Sequence, residues 1–147
     1  MIRFLTLIIV TALLGACQPQ ERPIEFGEEA CSYCHMTIVD NRYAAQLVTS
    51  TGKVHSFDAV ECLLNYKHEH SDNKWAMQRV CNYKNPGALM PAGEAYYVIS
   101  KALPSPMGAN ITPVAPRKKA EALQEKHSGK LYDYSALQNN FQQTPKP

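Results

Sequence analysis

Several things that would place the chain in a well-marked class are missing from it. No apolar run is long enough to span a bilayer, which takes roughly 20 residues. The longest, Phe4 to Leu14, is about 11 residues. Charge of one sign is scarce: 15 Lys and Arg against 13 Asp and Glu leave a formal net charge of +2. No basic cluster is interleaved with stacking aromatics, so the footprint of a nucleic-acid binder is absent and no nucleic-acid partner is expected. The run Arg117-Lys118-Lys119 reads as one solvated helix face. A glycine-rich phosphate loop, a Ser-His-Asp arrangement and a convincing buried carboxylate pair are all lacking, and the chain does not read as an enzyme.

What is present is concentrated in six residues, Cys31-Ser32-Tyr33-Cys34-His35-Met36. Thiolate and thioether are soft donors, which select Cu(I) over hard cations. Met36 lies two residues beyond Cys34, so in an extended segment both side chains would point to one face. A second thioether, Met107, sits in Leu103-Pro104-Ser105-Pro106-Met107-Gly108-Ala109, where two prolines and a glycine hold a loop around an apolar side chain. Setting Cys17 aside as part of a leader leaves Cys31, Cys34, Cys62 and Cys81. An even number in an exported domain is open to two disulfides, with Cys31–Cys34, a bond from one of these to Cys62, or Cys62–Cys81 as the pairings. Cys81 reads as structural, because nothing near it completes a site. Cys62 falls on the inner face of a helix, where it either packs as a small hydrophobe or aims its thiol at Cys34. A zinc tetrad of Cys31, Cys34, Cys62 and His55 can be assembled, but there is no second C-x-x-C. Thiol–disulfide exchange by Cys31/Cys34 is the enzymatic alternative. It is weakened because Thr37-Ile38-Val39 reads as strand and not as the helix whose N-terminus would activate the pair.

The remaining pattern predicts an α+β fold of two small ββαβ-type units packed together. Residues 42–50 and 53–57 read as a hairpin about Thr51-Gly52. Asp58 and Glu61 look like an N-cap and its capping-box partner, opening a helix to about His68 that buries Ala59, Cys62, Leu63 and Tyr66. Residues 75–80 read as a third strand and 82–93 as a loop. Strands at 94–100 and 111–114, a helix from Pro116 stopping at Gly129 as a C′ glycine, and a strand at 130–134 repeat the order. The expected division is a leader at 1–16, a lipidated flexible tether at 17–30, a first unit at 31–90, a second at 91–137 and a loose tail at 138–147.

Leu14-Gly15-Ala16-Cys17 resembles the lipobox of bacterial lipoproteins, which implies that Cys17 becomes the first residue and carries lipid. Gln18 after it, in place of Asp, leans toward the outer membrane. The run Cys31-Ser32-Tyr33-Cys34-His35-Met36-Thr37-Ile38-Val39-Asp40 resembles the C-x-x-C-x-M-x-I opening of the NosL family. Gly52-Lys53-Val54, Phe57-Asp58 and Glu61-Cys62 are similar to its middle, and Ser105-Pro106-Met107-Gly108 to its second-half loop. The sequence departs from the commonest pattern at His35, where glycine is usual, and carries Cys81 in addition. The resemblance implies a pair of ββαβ modules like those of the organomercurial lyase MerB. It also implies a lipid-anchored periplasmic Cu(I) chaperone for the copper sites of nitrous oxide reductase, working with a NosDFY-type ABC transporter complex. By that resemblance Met107 and Met36 lead the metal residues, followed by Cys34, Cys31 and Cys62.

Overall fold

The structure, a computed structural model, describes residues 18–143. The expected leader and the lipidation site at Cys17 lie outside the described residues, as do residues 144–147. Among the described residues no helix is long and apolar enough to cross a membrane.

The small and β-branched residues of 43–49 suit a pleat covered on both sides, and β1 (Ala45–Thr49) is buried along almost its whole length. Gly52, at φ +87°, turns the chain into β2 (Val54–Phe57), which pairs antiparallel with β1. Helix α1 (Val60–Glu69) leads to β3 (Trp75–Asn82), antiparallel to β1 on its other side. β4 (Asn85–Pro91) completes a sheet of order β2-β1-β3-β4. This last strand corrects the loop expected over 82–93. Pro86 and Pro91 argue against a strand only where both edges must be paired, and β4 is an edge.

The second half repeats the plan. β5 (Tyr96–Ile99), β6 (Ile111–Val114), α2 (Arg117–His127) and β7 (Lys130–Tyr132) form a sheet of order β6-β5-β7, again antiparallel with the opening strand in the middle. Two antiparallel sheets and three α-helices make this the expected α+β class. The halves share one core: Leu47, Phe57, Leu63 and Val80 of the first pack in the same cluster as Tyr97, Ile111 and Leu137 of the second. Strand β5 is buried on both faces, with Tyr97 in that cluster and Val98 in a smaller one with Ala120 and Leu123 of α2. Such alternation fixes its register, since a one-residue slip would exchange the two faces.

Three local expectations are corrected. The residue entering α1 in extended conformation is Ala59, with no side-chain cap, and Asp58 is turned inward. Helix α2 ends with Ser128 at φ +49°, so Gly129 does not serve as the left-handed residue. A Cβ on Gly129 would meet Val98 Cγ1 at 2.7 Å and the Ile99 carbonyl at 3.0 Å, and glycine is demanded by that close approach. The tether is also shorter than expected. The backbone N–H of Arg22 donates to Gln46 Oε1 at 3.2 Å, the Gln46 amide donates back to the Arg22 carbonyl at 3.1 Å, and Ile24 is buried in the core.

The loose tail expected at 138–147 is overturned over residues 138–143, which belong to α3 (Tyr134–Gln143). Leu137 is fully buried, Tyr134 donates to Gln78 Oε1 at 2.7 Å, and Lys67 reaches Gln78 at 2.8 Å and Gln138 at 2.6 Å. The polar Gln and Asn residues hide an amphipathic turn in which one leucine is the anchor. Leu137→Ala is therefore expected to cost about 2–5 kcal/mol in urea unfolding. A tail without packing would change stability by less than about 0.5 kcal/mol.

Candidate metal centre

Residues 29–38 form a narrow hairpin closed by Ile38 N–H to the Glu29 carbonyl and Cys31 N–H to the Met36 carbonyl, both 2.8 Å. Inside it the chain coils. His35 N–H bonds the Cys31 carbonyl at 3.0 Å, and His35 itself takes φ +63°. This is the single 5→1 bond and left-handed residue that ends a helical turn. The strand-like alternation expected to put Cys34 and Met36 on one face does not apply, because the left-handed residue lies between them. What links them is the Met36 backbone amide, which favours the Cys34 thiolate against the effect of burial.

A second set of bonds fixes this turn to the start of α1. Ser32 N–H donates to the Ser56 carbonyl at 2.8 Å, at the end of β2. The backbone amide of Asp58 lies where it stabilises the Cys31 thiolate, and that of Val39 where it stabilises the Asp58 carboxylate, whose Oδ1 has no hydrogen-bond partner among the described residues. Cys62 is the third residue of α1 and faces inward. The sulfurs of Cys31, Cys34 and Cys62 consequently lie within 4.8 Å of one another.

The three thiols are electrostatically unequal. Cys31 is held down to about 5, first by its hydrogen bond with Cys62 and then by N–H groups of Asp58, Cys34 and Tyr33, against the opposing effect of burial. The same bond pushes Cys62 up, reinforced by burial, and burial also raises Cys34. The cluster thus carries its first negative charge on Cys31, solvated by thiol and amide protons. Cys31 and Cys62 are each 1% exposed, Cys34 is half-buried and Met36 is 48% exposed, so the cluster opens on the Cys34 side.

Met107 is partly buried against the same core cluster that contains Cys31 and Cys62. Its loop is a turn in which Gly108 N–H bonds the Ser105 carbonyl at 3.1 Å, with Pro106 preceding Met107 and Gly108 at φ +81°. Cys81 is a buried free thiol on β3, opposite Leu89, pushed up to about 11 by burial. His55 does not join the cluster. Its Nδ1 pairs with the Tyr66 hydroxyl at 3.1 Å between the Tyr66 and Trp75 rings, so the zinc tetrad is not assembled. All four described cysteines are free thiols. Sequence reasoning missed two carboxylates, Asp58 and Glu61, read as a capping pair. Both are at most 3% exposed, and burial raises the pKa of each. Their placement beside Cys62 was the available signal.

The sequence pattern of the NosL family matches residues 23–141. The crystal structure of the copper chaperone NosL from Shewanella denitrificans aligns with a TM-score of 0.69 over 80% of this chain and 94% of that one. At 23% identity that likeness is one of fold. No curated protein sequence matches the chain.

The left-handed backbone at residue 35 favours glycine, because an L side chain in that region crowds the following carbonyl. His35→Gly is expected to raise the urea midpoint and His35→Val to lower it. The two variants should differ by about 1–2 kcal/mol. Equal midpoints would contradict the assigned geometry.

Proposed function

The chain belongs to the NosL family, and we propose on that premise that it is a carrier of Cu(I). The observation that carries the reading is the convergence of three sulfurs, from a turn and from a helix distant in sequence, within 4.8 Å. A soft univalent ion suits this donor set. A structural zinc site would call for four ligands in a closed tetrahedron, and the cluster supplies three. Met36 and Met107 are the thioethers proposed to complete the site.

The chemistry of transfer follows from the gradient of exposure. Two sulfurs hold the ion from the protein side, while Cys34 stands at the open side with Met36 next to it. An incoming donor atom from a partner can bind the ion there before the buried sulfurs let go, so exchange proceeds without a free ion. Cys31, already inclined to the thiolate, supplies the first negative charge toward the cation, and Cys62 and Cys34 give up their protons to solvent as they bind it. The recipient in this proposal is apo nitrous oxide reductase, reached through a NosDFY-type ABC complex. The carrier works at the periplasmic face of a Gram-negative envelope membrane, anchored by lipid on Cys17.

Competition with a chromogenic Cu(I) chelator tests the carrier role. One Cu(I) per chain is expected, with Cys62→Ser or Cys31→Ser losing at least about a hundredfold in affinity and Cys81→Ser leaving it unchanged. Failure of the parent protein to compete for Cu(I) at all would remove the carrier reading. Transfer to apo nitrous oxide reductase, measured with and without the ABC complex, tests the recipient separately.

A further inference from the structure

Glu61 sits in the first turn of α1, immediately before Cys62, and is 3% exposed. No cation pairs with it among the described residues. A carboxylate buried in this way is costly unless something specific holds it. Its partner is the Ser105 hydroxyl, which donates to Glu61 Oε1 across 44 positions of sequence. Ser105 has two further duties. Its Oγ accepts the Asn110 N–H at 2.8 Å, and its carbonyl accepts the Gly108 N–H at 3.1 Å. The loop 105–110 is closed on itself at both ends through this one serine, and this one serine is fastened to the residue next to Cys62. Met107 lies at the middle of the loop so held.

We propose that Glu61 is a positioning residue for metal binding: acting through Ser105, it holds the turn bearing Met107 at the cysteine cluster, and so sets how tightly that thioether can engage a soft ion. The inference rests on the carrier reading above. From this helix position the Glu61 carboxylate reaches the Ser105 hydroxyl while the next residue, Cys62, points its thiol at Cys31. Charge is incidental to this role, and an amide oxygen would serve as well. The helix N-terminus favours the carboxylate when it is ionised.

The test uses the full chain and Cu(I) itself, with Ag(I) as a redox-inert probe. Ser105→Ala is expected to lower Cu(I) affinity about tenfold, the usual scale for removing an outer hydrogen-bond partner of a metal ligand. Met107→Ala should lose a comparable factor, and the double variant should lose no more than Met107→Ala alone, because both changes remove the same interaction. Glu61→Gln should keep the parent affinity and Glu61→Ala should behave as Ser105→Ala does. In parallel, the Met107 methyl carbon resonance should move on Ag(I) loading in the parent and in Glu61→Gln, and move less in Ser105→Ala. A merely structural serine would lower the melting point and leave this resonance and the affinity alone. Full additivity in the double variant, or parent-like affinity in Ser105→Ala, would overturn the proposal. If Met107→Ala binds as the parent does while Cys62→Ser does not, the positioning role fails and the thiol-based carrier stands. If the parent protein binds neither ion, the carrier reading itself falls.

Discussion

The hydrogen bond from Ser32 N–H to the Ser56 carbonyl, at 2.8 Å, is the constraint on which the site depends. It fastens a turn that has little core of its own to the last residues of β2, at the point where the chain leaves the sheet for α1. The Asp58 amide then lies where it favours the Cys31 thiolate, and the Val39 amide where it favours the Asp58 carboxylate. Once these are made, the first turn of α1 has nowhere to go but beside the cysteine turn, and Cys62 arrives there as the third helical residue. No long-range feature of the sheets is needed to bring the sulfurs together. The sheets hold still the two backbone segments that the short bonds connect.

The arrangement also accounts for what happens at the helix start. A capping carboxylate at Asp58 would satisfy an N–H of α1, the usual use of an aspartate there. Asp58 instead lies buried with its Oδ1 unpaired among the described residues, and burial first, then the charge of Cys31, raise its pKa against the stabilising Val39 amide. Glu61, the expected reciprocal partner, is drawn to Ser105 in the second half of the chain. Two residues that would ordinarily stabilise the end of a helix locally are used to tie three separate segments to it. The helix is left uncapped by side chains, and its stability comes from the burial of Val60, Leu63 and Leu64.

This is also where the sequence stops being legible. The hairpin, α1, β3 and the whole second repeat could be read from alternation and turn residues, because each depends on neighbours within a few positions. Cys31 and Cys34 announce themselves by spacing, and Cys62 by sharing a face with Leu63. The roles of Asp58 and Glu61 depend on Val39 and Ser105, which no local pattern connects to them, so the capping box was the natural and wrong reading. Edge strand β4 was hidden by prolines whose cost depends on whether a second neighbour exists. Helix α3 was hidden by a polar composition in which Leu137, flanked by Tyr134 and Phe141, anchors the turn to the core. In the cysteine turn the one residue at φ +63° decided the geometry, and histidine gives no sign of it where glycine would have.

A carrier must hold an ion against loss to water and still surrender it to a partner, and these demands conflict if every ligand is alike. In this fold they are separated by position. Cys31 and Cys62 are sealed at 1% exposure and hydrogen-bonded to one another, so the pair forms a fixed floor. Cys34 belongs to a turn only five residues long, closed by one backbone bond and ended by a residue under strain, and it faces the open side. The thioether loop comes from the other half of the molecule and is tied to Glu61 of α1 through Ser105. In the proposed carrier, ligands on three separate segments of the chain can be exchanged one at a time. Each step then breaks a single metal–sulfur contact while the others remain, and the barrier is that of one ligand replacing another instead of that of releasing a bare ion.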